Sequence, residues 1–508
     1  MINIPIQTRI HNEWTFVVKN VKTDEITGVY KGFNVVLDRF LIRFGVPDDK
    51  NVAKILVGDG AGTPSTEDTG LFSVLEDYSA SVSILENTKN TLKVLYTAVV
   101  PSNELVGETL TEVGLSGAVT SYVYTHAMIE DSEGNAITIG PKSDDEEITI
   151  YSTFIFEIDT KEYLEYPRGN TRTLQTEMLF GLGNIDEMNN PKIEAGVSKR
   201  KRSEAELNTS NSGCDKYITR LSTTRSSASD GLYTLDAKRF GSSDANGEIR
   251  EMAAVCGIAS KAMCRIIIEK LPTDLFDGIQ KTDEAVGSGN GSLTGFNLPW
   301  SNPQNAVIKV DGVTKTEVTD YTLTEFPKNR IVTAHDFFEA EVTGTMVTGK
   351  EYIFDGTDGT SPYAQMLAGE NWVLDLKESK KYGFGSIGLR MTSTSYRWTS
   401  FDVDVSADGS SWTKVATAKA ASATTWIDVA FDTVPKTAYR YIKMTANTVV
   451  GTGGARFTEV RFTATQDQIQ FTSAPGNALP ITASYKLGYI PKDSTKLLDL
   501  GLTLALTR

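Results

Sequence analysis

Cysteine and histidine are scarce: three of each in 508 residues. Cys214, Cys256 and Cys264 are odd in number and widely spaced. That excludes a disulfide framework or a zinc ribbon and fits assembly in a reducing cytoplasm. His11, His126 and His335 sit in no H-E-x-x-H motif and accompany no G-x-S-x-G elbow, so each reads as a turn or strand residue. No run of about 18 apolar residues occurs, so no membrane-spanning helix is expected. "MINIPIQTRIHNEW" lacks an apolar h-region, so no secretory leader is expected. Basic residues are outnumbered, 50 Lys and Arg against 65 Asp and Glu, for a net charge of -15. Such a chain repels nucleic acid. Its one basic run, Lys199-Arg200-Lys201-Arg202, lies beside Glu204 and Glu206 and reads as a solvated loop or helix start.

What is present is strand-like alternation, cut by Gly, Asn and Asp turns. "ITIYSTFIFEI" (148–158) is rich in β-branched and aromatic residues. "NAVIKVDGVTK" (305–315) sets Asp311-Gly312 between two apolar runs, a hairpin signal. "ASKAMCRIIIEKL" (259–271) fits a helix or a buried strand. The fold class is mainly β, and the length suggests several domains. "GETLTEVGLSG" (107–117) is echoed by "GEIREMAAVCG" (247–257), which suggests two related β units in the first 285 residues. The Gly-rich "ILVGDGAGTPSTEDTGLF" (55–72) has no Lys after its glycines, so it reads as a surface loop rather than a phosphate loop.

Residues 290–332 carry the strands and turns of a small β-sandwich that stops early. Residues 468–490 supply its missing strands. Between them lie residues of another character, including Trp372, Trp398, Trp412 and Trp426. A domain inserted in a surface hairpin explains this, at little cost in loop-closure entropy. The expected domains are 1–160, an N-terminal β domain; 161–285, a second β-rich domain; 286–335 with 466–508, a split sandwich; and 336–465, the insert.

The insert carries, in order, "FDGTDGT" (354–360), "NWVLDL" (371–376), "VSADGSSW" (405–412), "YRYIKM" (439–444) and "FTEV" (457–460). This series resembles the discoidin family, the galactose-binding-like jelly rolls of coagulation-factor C domains and carbohydrate-binding modules. The resemblance implies a jelly roll with Trp412 in its core. It implies a structural calcium at Asp355, Thr360 and Glu459, oxygen ligands that suit a hard cation; a metal-free Asx turn is the alternative. It implies a sugar site at one end of the barrel, with Arg397 and the aromatic candidates Tyr363 and Trp398; for Trp398, plain packing is the favoured reading. The family's histidine ligand has no counterpart here.

The Gly-rich loop, "TLTEVGLSG" and the "D-S-E-G-N" turn (131–135) follow an order similar to phage tail and tail-fibre proteins. The split unit, with "VDGV", "TDYTL" and "IQFTSAPGNALPITASY", also resembles a β module of phage structural proteins. The resemblance implies a virion component of a tail fibre, baseplate or collar, assembled in the host cytoplasm and released by lysis. It implies other virion proteins and a symmetric homo-oligomer as partners, with host attachment through a surface glycan and without nucleic acid or membrane insertion. Alternatives are a head fibre or capsid decoration protein with a purely structural jelly roll, and a polysaccharide-degrading enzyme. Glycosidases need two opposed carboxylates in a cleft. The acidic run 144–147 reads as a solvated face, so binding without bond-breaking is the expectation.

Overall fold

The computed structural model describes the chain except residues 1, 38–53, 88–90, 118–122, 132, 159–160, 163, 166–191, 203–206, 208–212, 224, 227–231, 257–260, 338–339, 347, 357–361, 378–383, 423, 435–438 and 508. It is mainly β, with strands in several sheets and short 3-10 turns among the described residues. Three large cores form: one over the N-terminal 270 or so residues and the C-terminal strand, one in the split module, and one in the insert.

Five strands occur twice in the same spatial order. The first set is Ile26–Val36, Val123–Met128, Glu112–Ser116, Lys54–Gly58 and Val74–Ser79. The second is Leu164–Glu165, Lys261–Ile267, Glu251–Cys256, Lys192–Gly196 and Tyr217–Ser222. Their registers agree. Gly58 faces Glu112 as Gly196 faces Glu251, and Gly114 faces His126 as Ala253 faces Arg265. Thr111 N donates to Gly58 O as Arg250 N donates to Gly196 O, both at 2.9 Å. The echo seen in the sequence is therefore offset by one residue: Glu112 corresponds to Glu251, not Met252. The two sets share one core, which includes Val57, Ile129, Ala195 and Ile268.

The second set is interrupted. After the 3-10 turn Ile268–Lys270 the chain leaves, and it returns at Ile490–Lys492, which pairs with Gly247–Ile249. Leu498–Thr507 then runs parallel to Ile2–Asn20 and antiparallel to Leu232–Phe240. The C-terminal strand thus corrects the expectation that 466–508 all belongs to the split sandwich. Its Leu498 and Leu500 are buried.

Between those points lies the split module. Pro480–Leu487 sits between Ile279–Ser288 and Gln304–Val310, and Ile469–Phe471 sits between Gly295–Phe296 and Tyr321–Leu323. Asp311-Gly312 makes the expected turn, with Val310 facing Val313.

The insert follows Tyr321–Leu323 and is a two-sheet jelly roll. One sheet holds Ile331–Val332, Ala455–Ala464, Phe384–Met391, Ile427–Ala430 and Ala364–Met366. The other holds Glu341–Thr343, Asn371–Asp375, Tyr441–Val450, Arg397–Ser406 and Thr413–Ala421. Phe401, Val403 and Val405 face inward with Trp372 and Trp398, as the alternation implies. Trp412 departs from expectation. It is only half-buried, lies outside the core cluster, and carries the Lys443 ammonium 4.3 Å from its ring centroid. The turn before it is held by Asp408, whose Oδ1 accepts from Ser410 N and Ser411 N. That turn brings the indole out onto the flank of the sheet.

Two further readings are corrected. Residues 261–267 are strand, with a 3-10 turn only at 268–270. The basic run is only partly solvated: Lys201 is exposed, but Lys199 and Arg202 are buried, and Arg200 and Arg202 pair with Asp215. A buried carboxylate draws the cations inward that composition alone would leave in water.

Candidate functional site

The jelly roll has a near and a far end. The chain enters and leaves at the near end, where Val332 faces Phe462 and Phe384 faces Ala464. At the far end Met391 faces Phe457, Arg397 faces Val450, and Trp398 faces Ala421. Loops 392–396, 424–426 and 451–454 therefore stand at the end opposite the chain's entry. Binding residues commonly sit on such loops, because the sandwich below holds them in place.

Arg456 organises this end. Its guanidinium carbon lies 4.0 Å from the Tyr396 ring centroid and 4.9 Å from that of Tyr363. Its Nε donates to Gln365 Oε1 at 3.2 Å. Gln365 reaches it because Gln365 and Arg456 are direct cross-strand partners. A Cβ at Gly453 would stand 3.1 Å from Arg456 Nη2, so a glycine there leaves the guanidinium its place. Arg397 begins the next strand, and its Nη1 donates to Thr394 O at 2.5 Å. All of these side chains are half-buried.

Residues 339–468 match the F5/8 type C domain. Solved structures similar to this region include CBM32-1 from a family 31 glycoside hydrolase of Clostridium perfringens, at 16% identity, covering 25% of this chain and 94% of that one, with a TM-score of 0.21. Chitosan-binding module 1 of Paenibacillus sp. IK-5 follows at 18%, 24%, 92% and 0.20. CBM62 from Clostridium thermocellum Xyl5A stands at 20%, 25%, 94% and 0.21. No curated protein matches the chain.

Of the expected sugar contacts in the F5/8 type C domain, Tyr363 and Arg397 both reach the far end. Trp398 does not serve. It is fully buried, with its ring centroid 4.6 Å from that of Phe457 and 5.8 Å from that of Phe401. Alternation within Arg397–Ser406 turns Trp398 inward, whereas Tyr396 precedes the strand and stands at the far end against Arg456. Arg456 and Gln365 were also missed. Their only signal was Arg456 directly following "GTGG", and sequence alone could not place that loop beside Tyr396.

The expected metal ligands are partly assembled. Glu459 is buried, and its Oε2 accepts from Gly356 N at 2.9 Å. Burial, and then the adjacent Asp355 carboxylate, push the Glu459 carboxyl well above its ordinary range. Among the described residues its Oε1 has no hydrogen-bond partner at bonding geometry. A buried, orphaned carboxylate oxygen beside a second carboxylate fits a hard cation, which would relieve the repulsion. Thr360 lies outside the described residues. Among the described residues no cluster of three or more His, Cys, Asp or Glu side chains forms a metal site.

The near end rests on a buried ionic joint. Lys199 N donates to His335 O at 2.9 Å, and Arg330 pairs with both Asp336 and Glu248, at 2.9 and 3.3 Å. Arg250 lies between Glu248 and Glu269. Ser198, Asp215 and His335 also meet here, which raises the question of a nucleophilic triad. The geometry differs from one. Ser198 Oγ and Asp215 Oδ2 both approach His335 Nδ1, at 3.3 and 2.6 Å, and Ser198 donates to Asp215 at 2.6 Å. A relay needs the serine and the acid on opposite ring nitrogens. These groups hold the domain to its scaffold.

Proposed function

We propose that this chain is an attachment protein. The F5/8 type C domain binds a glycan through its far-end loops, and the remaining units carry that domain on a larger particle. The observation that carries this reading is the Tyr363–Arg456–Tyr396 stack, placed opposite the point where the chain enters the domain. Aromatic faces match the apolar faces of sugar rings, and guanidinium donors match hydroxyl or carboxylate oxygens. Its ionic joint to the second five-strand set supports a fixed, outward presentation.

The particle in this proposal is a phage virion, where the chain forms part of a tail fibre, baseplate or collar beside other virion proteins. The sequence resemblance described above supports this. Repeated copies on a symmetric particle would turn weak single sites into avid attachment. No bond is made or broken in this role. Asp355 and Glu459 would hold a calcium ion, whose part is to fix the loop that begins at Gly356.

A glycan array probed with the whole protein tests the binding claim. The wild-type protein should retain at least one glycan, and Tyr396→Ala should weaken that binding by about tenfold, the loss of one aromatic contact. Equal binding by the variant would move the site elsewhere. Immunogold microscopy against residues 340–465 tests the location: gold on tail, baseplate or collar supports it, and gold on the head or on no particle sinks it.

A further inference from the structure

Many of the described arginines pair with a carboxylate. In the joint, Arg200, Arg250 and Arg330 each meet a carboxylate. Within the F5/8 type C domain, Arg440 grips Asp375 and Arg461 grips Asp428 through two bonds each. That is expected where acidic residues outnumber basic ones. Arg397 and Arg456 differ: among the described residues neither has a carboxylate at ion-pairing distance, and both stand at the far end. The nearby Glu370 carboxylate accepts instead from Leu367 N, at 2.7 Å.

The Arg456 guanidinium is also directional. Its guanidinium carbon lies 4.9 Å from the Tyr363 ring centroid and 4.0 Å from that of Tyr396, and its Nε donates to Gln365. Among the described residues nothing accepts a hydrogen bond from its Nη1 or Nη2. A planar fork with a free leading edge matches a carboxylate, which takes two parallel N–H bonds. A neutral sugar hydroxyl takes one and leaves the charge unanswered.

We infer that the far end selects an acidic polysaccharide, with the carboxylate of a uronic acid seated on Arg456 and a second anionic group, or the next residue of the polymer, reaching Arg397. This rests on the glycan-binding reading and names its ligand class. The acidic surface of the rest of the chain favours local docking at this one patch, because an anionic polymer is repelled elsewhere.

The test uses a matched pair, polygalacturonate and its fully methyl-esterified form, with calorimetry on the whole protein. The expected result is binding to the acid form at least tenfold tighter than to the ester, weakening as salt rises. Arg456→Gln should abolish the preference at an unchanged melting temperature. If that variant melts early, Arg456→Lys is used; it keeps charge but loses the fork, and should retain salt-dependent binding at about a tenth of the affinity. Dextran sulfate and dextran form the second pair: binding to dextran sulfate alone would replace the carboxylate with a sulfate ester and overturn the uronate claim. Equal binding to acid and ester overturns acid selection and leaves glycan binding standing. Binding to none of the four, and to nothing on an array, overturns both.

Discussion

The two five-strand sets solve one problem with different basic side chains. Each has a 15- to 20-residue loop to anchor, and each does so with a glutamate laid across a glycine of the neighbouring strand. Glu112 accepts from Gly60 N, Phe72 N and Ser73 N. Glu251 accepts from Ser198 N, Asp215 N and Lys216 N. The balancing side chain differs. In the first set it is the His126 imidazole, held between Glu112 at 2.7 Å and Asp68 at 2.9 Å. In the second it is Arg265, held between Glu251 and Glu165 at 2.5 Å each. The first pairing is local and closes one loop. The second feeds the buried network that seats the F5/8 type C domain, through Asp215 and its partners Arg200 and His335. A duplicated frame can thus keep its hydrogen bonds and take on a second task by changing one basic side chain and the loop it holds.

The largest effect should come from removing the anchors. Glu251→Gln leaves Arg265 buried with one carboxylate instead of two and should cost about 3–5 kcal/mol. Glu112→Gln should cost less, about 1–3 kcal/mol, because it weakens hydrogen bonds without leaving a buried guanidinium short of a carboxylate. Denaturant melts of both variants check the order; equal losses would mean that the basic side chain's identity does not matter.

Acid should separate the sets next. Burial raises the Glu248 carboxyl, but Arg250 and Arg330 more than offset it and bring it down to about 2. Its stabilisation is present above the ordinary carboxylate value and is lost as pH falls from about 4.5 to about 2, a term of roughly 3 kcal/mol. Glu112 shifts in the same direction: burial raises it, and His126 with the backbone N–H groups of Ser73 and Phe72 lowers it further. Hydrogen exchange between pH 5 and pH 2 should show both anchored loops opening as the pH falls. Unchanged protection of residues 197–216 at pH 2 would remove the joint from the acid response.

The glycines should matter somewhat less. A Cβ at Gly58 would stand 2.1 Å from Ser73 O, and one at Gly196 2.4 Å from Glu251 Oε1. Alanine at either position should cost about 1–3 kcal/mol by overpacking. Gly58→Ala should cost more, since a backbone carbonyl yields less readily than a side chain; thermal melts check the sign.

The smallest effect concerns the insert. Because its folded carboxyl is raised, Glu459 in the metal-free protein favours folding below its folded value and opposes it as pH rises through that value. At pH 7, EDTA should therefore lower the melting temperature by a few degrees, and added calcium should restore it. Glu459→Gln should melt higher than wild type in EDTA, by about 1 kcal/mol, and ignore calcium. An EDTA-insensitive wild-type melt would end the calcium proposal.

Local pattern carried much of this molecule. Alternation at 401–406, the Asp311-Gly312 turn and the ordered motifs of 354–460 made the β class and the jelly roll legible, because strand periodicity and turn chemistry act over a few residues. The echo at 107–117 and 247–257 was legible for the same reason, one residue out of register. What the sequence could not reveal depends on neighbours far along the chain. Trp398 and Tyr396 are both aromatics beside Arg397, and only the strand's start decides which faces inward. Arg456 meets Tyr396 across 60 residues of chain, and Lys199 and Arg202 are buried because Glu269 and Asp215 come to meet them. Leu498–Thr507 reads like any amphipathic strand; its place beside Ile2–Asn20 follows from an open sheet edge nearly 500 residues away. Periodicity is written in the chain, but partnership is set by which surfaces the fold brings together, and the candidate site is made of partnerships.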